Sequence, residues 1–344
     1  MSAQSVVRFL FLTLWLPLGS QLWAADTLDI YVLDVEGGKA MLVLTPSGQS
    51  MLLDGGMPTQ DNRDVNRVLR AAKAVGVKEF DYILITHYDV DHAGNIPAIA
   101  AQIPAKAFVD HGPIVNNPKI APMNRRAADA YLAFVAGQKR MSVKPGETIP
   151  LKGVKITVLT SNEQVLSKPL KGAGKPNDAC PASKPDPLEM DDNSGSIGTL
   201  WEFGKFRMAD FGDLLQWVEF NLMCPNNRVG VVELFMVNHH GLAVSNSIEL
   251  VHALHPKVAI MNNGERKGAA PDVTKTLRSS PGLQDIWQLH YSVSAGKDFN
   301  APEDYIANLK QQDCQANWIK VSARRDGSFT VTNTRNNFSR TYQP

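Results

Sequence analysis

Four apolar runs in this chain stop abruptly on an acid or a histidine. "MLLDGG" ends at Asp54, and "DYILITHYDVDH" runs into His87, Asp89, Asp91 and His92. "FRMADFGD" ends at Asp210 and Asp213, and "ELFMVNHH" ends at His239 and His240. Short apolar runs of this kind read as buried strands. In open mixed sheets, strand ends along one edge form the usual site. The chain must therefore fold so that several strands deliver polar tips to a shared rim.

The densest of the four explains what such a rim is for. Carboxylates packed together repel and raise each other's pKa, and a divalent cation reverses that effect. Imidazole and carboxylate suit zinc, or manganese and iron where oxygen ligands are numerous. After a strand, side chains at 87, 89 and 91 converge on one side of a tight turn, while His92 turns toward a second point. The competing reading makes Asp91 the N-cap of a helix from about Gly94 to Gln102, with the histidines as bystanders. Four such residues within six positions favour a metal site. Asp213 has its own competing reading, as a cap for the helix "LLQWVEF". His111, in "FVDHGP", is either a group at the mouth or an imidazole hydrogen-bonded near a turn. Lys267, beside Arg266 in "NGERKG", is either an anion-steadying group or part of a solvated turn. His252, His255 and His290 read as structural.

The remaining pattern gives the architecture. "TLDIYVLDV", "KAMLVLTP" and "QSMLLDGG" read as three strands, the last two joined by a "PSGQ" hairpin turn. A helix over "DNRDVNRVLRAAKAVGV" ends at Gly76. Strand "KAFVD" and helix "PMNRRAADAYLAFVAGQ" follow. Strands "SIGTLWEF" and "KFRMADF" turn at Gly204, and helices then alternate with strands to "QDIWQLHYS". Strands first, then strand–helix alternation, in two successive halves point to an α+β or α/β class protein. Two mixed sheets face to face with helices outside, an αββα sandwich, is expected; periodicity alone leaves a doubly wound α/β sheet open. Residues of about 161–195 are rich in Pro, Gly, Lys and Ser and read as an insertion loop within a single domain over 26–344.

The 344 residues carry a formal charge of +1, so no strong global signal for nucleic acid is present. Residues 1–25 read as a signal peptide: Arg8, an apolar stretch broken by Pro17, then Ala24 and Ala25. Export, to a periplasm or outside the cell, is expected, with no transmembrane segment in the mature chain. Of Cys180, Cys224 and Cys314, one disulfide is expected, Cys180–Cys224 being the favoured pair, against three buried free thiols.

In order and type these residues resemble the metallo-β-lactamase fold superfamily. Its pattern is an Asp after a strand, H-x-H-x-D-H, a His, an Asp, then a His. "LDVEGGKAMLVLTPSGQSMLLDGG", "THYDVDHAGN", "DDNSGSIGTLWEFGKFRMADFGDL" and "VNHHGLAVSN" are similar, more narrowly, to the hydrolase domain of ComEC-type DNA-uptake proteins and to its exported stand-alone relatives. The likeness runs from about residue 27 to 295 and includes nothing of the ComEC membrane channel. It implies the metallo-β-lactamase αββα fold and one or two zinc ions, with manganese or iron as alternatives. It implies one complete set of ligands, Asp91, His92, His239 and bridging Asp213. A second set, His87, Asp89 and Asp213, lacks the third-motif histidine, since Asn193 of "DDNSG" stands there. Lys39 replaces the acid of the opening motif. Asp54 matches the first Asp, and His240 is left to touch substrate.

The function expected is metal-dependent hydrolysis of phosphodiester or related ester bonds, with Asp91 orienting the attacking water and His240 or Lys267 steadying charge. The partner would be a small-molecule or nucleotide-type substrate. A β-lactam or lactone hydrolase and a non-catalytic metal- or ligand-binding module are the alternatives.

Overall fold

The computed structural model describes residues 26–188, 191–310, 312 and 314–344. The signal peptide expected over 1–25 lies outside the described residues.

The first half lays down strands β1 (Leu28–Val32), β2 (Met41–Leu44), β3 (Ser50–Leu53), β4 (Tyr82–Leu84), β5 (Phe108–Asp110) and β6 (Arg140–Ser142). Helices α1 (Arg63–Ala74), α2 (Val90–Ala93), α3 (Ile96–Ala100) and α4 (Pro122–Val135) connect the later strands. The second half lays down β7 (Thr148–Ile149), β8 (Lys155–Ser161), β9 (Gln164–Val165), β10 (Gly198–Phe203), β11 (Phe206–Asp210), β12 (Leu234–Met236), β13 (Val258–Met261), β14 (Asp285–His290) and β15 (Ile306–Asn308). Its helices are α5 (Gln216–Met223), α6 (Ile248–Leu254) and α7 (Pro271–Ser279). The chain then returns to the first sheet as β16 (Ile319–Ala323), β17 (Phe329–Asn333) and β18 (Ser339–Tyr342).

Two mixed sheets result, in the orders β18-β17-β16-β1-β2-β3-β4-β5-β6 and β15-β14-β13-β12-β11-β10-β8-β7, with β9 beside β8. Each half begins antiparallel and turns parallel once helical crossovers start, at β3–β4 and at β11–β12. Crossover helices cover the outer faces, so the strands are buried on both sides. In β1, Leu28, Ile30 and Val32 point into the layer between the sheets, with Trp201, Trp287 and Phe206 opposite. Tyr31, on the other face, joins α1, α3 and α4 through Val65, Val68, Ile96, Ile99 and Tyr131. On the far side Leu200, Ala209 and Phe235 pack with Val218, Leu222, Leu250 and Leu277 of α5, α6 and α7. Three apolar layers between four structural layers make the αββα sandwich; the doubly wound alternative does not hold.

Two details differ from the sequence expectation. The helix expected from about Gly94 to Gln102 is present as α3, but a separate short helix, α2, precedes it, and Asp91 and His92 lie within α2 rather than capping α3. Asp89 is the N-cap residue but makes no side-chain capping bond, and neither does Asp213, since α5 is capped at Leu215. Both carboxylates are thus released from the helix role and available for other work. Between β9 and the 3-10 turn at Asn193–Gly195, the described residues form no strand or helix. That segment is pinned by a Cys180–Cys224 disulfide, and Cys314 is a free thiol.

Candidate metal centre

Parallel pairing fixes where the polar tips go. β4 runs parallel to β3, and β12 runs parallel to β11, so their C-terminal ends share an edge of their sheets. Just past those ends stand Asp54, His87, Asp213 and the pair His239–His240. Almost every one of these side chains is buried: Asp54, His87, His92 and His240 are at 0% exposure, Asp213 at 2% and Asp91 at 7%. Burying charged or polar groups without partners is costly, so their mutual geometry must supply the compensation.

Four donor atoms converge. Asp213 Oδ2 lies 3.2 Å from His92 Nε2 and 3.1 Å from His240 Nε2. Asp91 Oδ2 lies 3.2 Å from His240 Nε2 and 3.6 Å from His92 Nε2. The two imidazole Nε2 atoms are 3.4 Å apart. A zinc ion roughly 2.0–2.1 Å from four tetrahedral donors spaces those donors about 3.3–3.4 Å apart. The five edges bracket that value, so Asp91, His92, Asp213 and His240 fit a tetrahedral dication.

Each imidazole is held so that Nε2 faces this point. His92 Nδ1 is 2.9 Å from Asp54 Oδ2, which fixes the ring and its tautomer. Asp54 is itself locked: Oδ1 accepts the Thr86 N–H at 2.8 Å and Oδ2 accepts the Thr86 hydroxyl at 2.8 Å. His240 Nδ1 sits 3.2 Å from the Asn262 carbonyl, and His239 Nδ1 sits 3.1 Å from Ser245 Oγ. The turn carrying Asp213 needs Gly212: its φ is +59°, and a Cβ there would come within 2.8 Å of Thr86 Cβ. Most unusual is the run His239, His240 and Gly241, with φ of 51°, 55° and 85°. A non-glycine residue in this region costs roughly 1–2 kcal/mol, so two in succession mark a functional constraint.

A looser second group adjoins the first. His87 Nε2 lies 3.7 Å from Asp89 Oδ2, and His239 Nε2 lies 3.6 Å from Asp213 Oδ2. His87 Nε2 and Asp213 Oδ1 are buried with no hydrogen-bond partner. Buried polar atoms are normally satisfied, so each of these two atoms is open to a further partner. Asn193 donates its amide to Asp89 Oδ2 at 2.9 Å, and the Asp192 N–H donates to Oδ1 at 3.2 Å. Asn193 therefore orients Asp89.

The charges are mutually tuned. Burial pushes the Asp213 carboxyl up, but His240, His92 and His239 outweigh it and hold it well below the carboxylate range. Burial likewise opposes the Asp91 anion, and Lys267 and His92 more than reverse this. Burial works against a charged His92, yet Asp213, Asp54 and Asp91 raise it well above the usual imidazole value. His239 goes the other way: burial drives it down to about 4, so its imidazole is neutral at pH 7. Burial raises Asp89 while His87 resists.

Several expected roles change. His240, not His239, completes the tight set of four, and it is fully buried at 0% exposure. The left-handed backbone of the pair swings the two rings apart, so it is the second histidine that reaches the other three donors. His111 is not at the mouth: it is buried, with Nε2 2.8 Å from Asp192 Oδ2. Lys267 pairs with Asp91 and remains partly exposed at the lip. Thr86, Ser245 and Asn262 went unnoticed, because hydroxyls and amides beside ligands carry no spacing signal. Lys39, fully buried, pairs with Asp210 beneath the centre. Asp34, Glu36, His290 and Cys314 also come together. There Arg67 donates to Asp34 Oδ2 and Glu36 Oε1, both at 2.9 Å, so the cation of that cluster is a guanidinium.

Residues 33–166 match the family model described as Metallo-beta-lactamase superfamily. That stretch resembles the superfamily and includes Asp54, His87, Asp89, Asp91 and His92. The chain is similar to ComE operon protein 3 of Bacillus subtilis (strain 168), with 27% identity over 194 residues, or 56% of this chain. The match spans 21% of that relative's length. Among solved structures it is similar to the metallo-beta-lactamase fold protein YhfI from Bacillus subtilis. There the TM-score is 0.47 and the identity 11%, covering 76% of this chain and 96% of that one. A diphosphatase from the PhnP family gives a TM-score of 0.37 at 13% identity, covering 75% of this chain and 94% of that one.

Proposed function

We propose that the protein is an exported metal-dependent hydrolase of phosphodiester or related ester bonds. The observation that carries the reading is the set of four donors at tetrahedral spacing with a lysine ammonium at its lip. Asp91, His92, Asp213 and His240 would hold the ion. When bound, such an ion lowers the pKa of water and polarises a phosphoryl or carbonyl oxygen. The protein's own residues supply the rest. Asp54 holds His92 in the tautomer that leaves Nε2 free. Asp91, kept anionic, is placed to accept a hydrogen bond from an attacking water and orient it. Lys267, its pKa raised by Asp91 and Asp213 against burial, keeps a fixed positive charge where an anionic substrate oxygen would enter.

The phosphodiester reading rests on the ComEC-type motifs and on that ammonium; zinc is the first choice of ion because two imidazoles and two carboxylates form a compact tetrahedron. The Cys180–Cys224 disulfide supports export to a periplasm or beyond the cell, where oxidants reach it. Among the described residues, no helix is long and apolar enough to cross a membrane.

The test is turnover of bis-p-nitrophenyl phosphate, a chromogenic β-lactam and an aliphatic lactone by zinc- and manganese-loaded protein, with Asp213→Ala as control. Phosphodiester turnover lost in the variant supports the reading. Preferential β-lactam or lactone turnover replaces it with the alternative hydrolase. One bound equivalent of metal with no turnover of any ester makes the protein a binding module.

A further inference from the structure

Lys39 has no part in the chemistry proposed above, yet its charge is enclosed in the protein. The residue is 3% exposed, and its ammonium sits on Asp210 Oδ1, itself part of a residue 1% exposed. Burial opposes the ammonium, and Asp210, Asp54 and Asp213 more than reverse this, so the charge is kept. Lys39 lies in the loop between β1 and β2 of the first sheet, and Asp210 is the last residue of β11 in the second. The ion pair therefore crosses from one sheet to the other. Replacing a buried ion pair by uncharged groups is commonly neutral or stabilising. Stability alone gives no reason for this one, and its reason must lie in the geometry it imposes.

Asp210 passes the anchorage on to the turn that carries Asp213. Its Oδ1 accepts the Gly212 N–H at 2.9 Å as well as the Lys39 ammonium, while Oδ2 makes no hydrogen bond. The peptide groups of Gly38 and Lys39 reach toward the other three donors. The Lys39 N–H donates to the Asp91 carbonyl at 3.1 Å. Gly38 lies so close that a Cβ there would come within 2.7 Å of the same oxygen. The Lys39 carbonyl accepts the Gly56 N–H at 3.0 Å, and the preceding Gly55 N–H donates to the His92 carbonyl at 2.8 Å. Asn262, whose main-chain carbonyl faces His240 Nδ1, donates its side-chain amide to the Gly38 carbonyl at 3.5 Å. One dipeptide thus braces the carriers of all four donors.

We propose that Lys39 is a positioning residue of the metal centre: its ammonium on Asp210 and its peptide group on Asp91 hold the two sheets in the register at which the four donors converge. This rests on the reading of those donors as a metal site. The tie across the sheets is the ion pair, and the tie to Asp91 is main chain. Removing the pair therefore loosens Asp213 and leaves Asp91 braced.

Lys39→Met alone strands the buried Asp210 carboxylate, so the test uses the double variant Lys39→Met/Asp210→Asn. It removes both charges and keeps an oxygen for the Gly212 N–H. Full-chain wild type and variant are compared by zinc titration against a competing chelator, visible absorption of the Co(II) form, urea unfolding in chelator, and hydrogen–deuterium exchange in chelator. The variant is expected to unfold at the same urea concentration or higher, yet to bind zinc about 10–100-fold more weakly. Its Co(II) bands should lose intensity as the centre departs from tetrahedral geometry. Exchange should quicken in the peptide carrying Gly212 and Asp213 and stay unchanged in β1. Zinc affinity within threefold of wild type, with an unchanged Co(II) spectrum, overturns the proposal. So does a variant unfolded in chelator, because the pair then holds the fold and not the site. Wild type that binds neither zinc nor cobalt overturns the metal reading, and this proposal with it.

Discussion

Asp54→Asn separates orientation of a ligand from provision of one. Asp54 is not among the four donors, yet its two oxygens receive three groups: the Thr86 N–H, the Thr86 hydroxyl and His92 Nδ1. An asparagine has one oxygen to offer, and its amide can sit in two ways. With oxygen at the Oδ2 position, His92 keeps its tautomer, but the NH2 then faces the buried Thr86 N–H. Leaving that donor unpaired costs about 1–3 kcal/mol. With oxygen at the Oδ1 position every neighbour is satisfied, provided His92 Nδ1 becomes an acceptor. The ring proton then moves to Nε2, the atom that must face the metal. Metal binding needs Nε2 unprotonated with the proton on Nδ1, so it must reverse the second arrangement or accept the unpaired Thr86 N–H of the first. The loss therefore appears in affinity, at about 10–100-fold, or about 1.4–2.8 kcal/mol. Asp54 has a φ of +57°, a region asparagine tolerates well, so the backbone contributes little to the difference. The assay is zinc titration against a competing chelator, together with urea unfolding in chelator. Zinc affinity within threefold of wild type would refute the tautomer argument. So would a loss of 3 kcal/mol or more in metal-free stability with affinity unchanged.

Lys267→Met removes the ammonium that competes for Asp91. Zinc affinity should hold or rise, while kcat/KM for an anionic phosphodiester falls about 10–100-fold; equal losses for charged and neutral esters would rule out a charge role. Glu219 is buried beneath the histidine turn, where it accepts the Asn238 amide and the Asn246 and Ser247 N–H groups. Burial moves its carboxyl from 4.5 up to about 7 despite those donors, which disfavours the anion by about 3 kcal/mol. A raised folded-state pKa means this residue's contribution is full below about 4.5 and is lost as pH climbs through about 7. In chelator, the unfolding free energy of Glu219→Gln relative to wild type should therefore shift in the variant's favour by about 3 kcal/mol between pH 4.5 and 8. Parallel pH profiles would contradict that.

Much of this fold is legible because buried strands and amphipathic helices leave strong periodic traces. Leu28, Ile30 and Val32 alternate inward, and the Val65–Val68–Ala72 face of α1 is plain. Strand ends on Asp54, His87, Asp213 and His239 betrayed the rim, because nothing else requires acids and imidazoles directly after apolar runs. Less legible are β8, buried at six of its seven residues, and the short β6, β7, β15 and β18. The short strands are held by register with neighbours rather than by their own pattern. The assignment of His239 and His240 was out of reach for a different reason. Two adjacent identical residues can be told apart only by backbone dihedral angles, and positive φ at histidine has no signature in composition or spacing. The extra short helix α2 ahead of α3 reflects a similar limit: a single turn of four residues is too short to leave a periodic trace, and Asp91 within it is a ligand candidate rather than a cap.

The four donors are contributed equally by the two halves of the chain. Asp91 and His92 follow β4 of one sheet, and Asp213 and His240 follow β11 and β12 of the other. A dication seated there is a clasp across the open end of the sandwich, gripping both leaves at once. By mass action, a ligand at 100 times its dissociation constant adds about 2.7 kcal/mol to the folded state. Loaded and stripped protein should thus differ first in how readily that end parts, with the apolar interior between Trp201 and Val32 the last to notice. Scarcity of metal would then set how long the molecule lasts as well as whether it works.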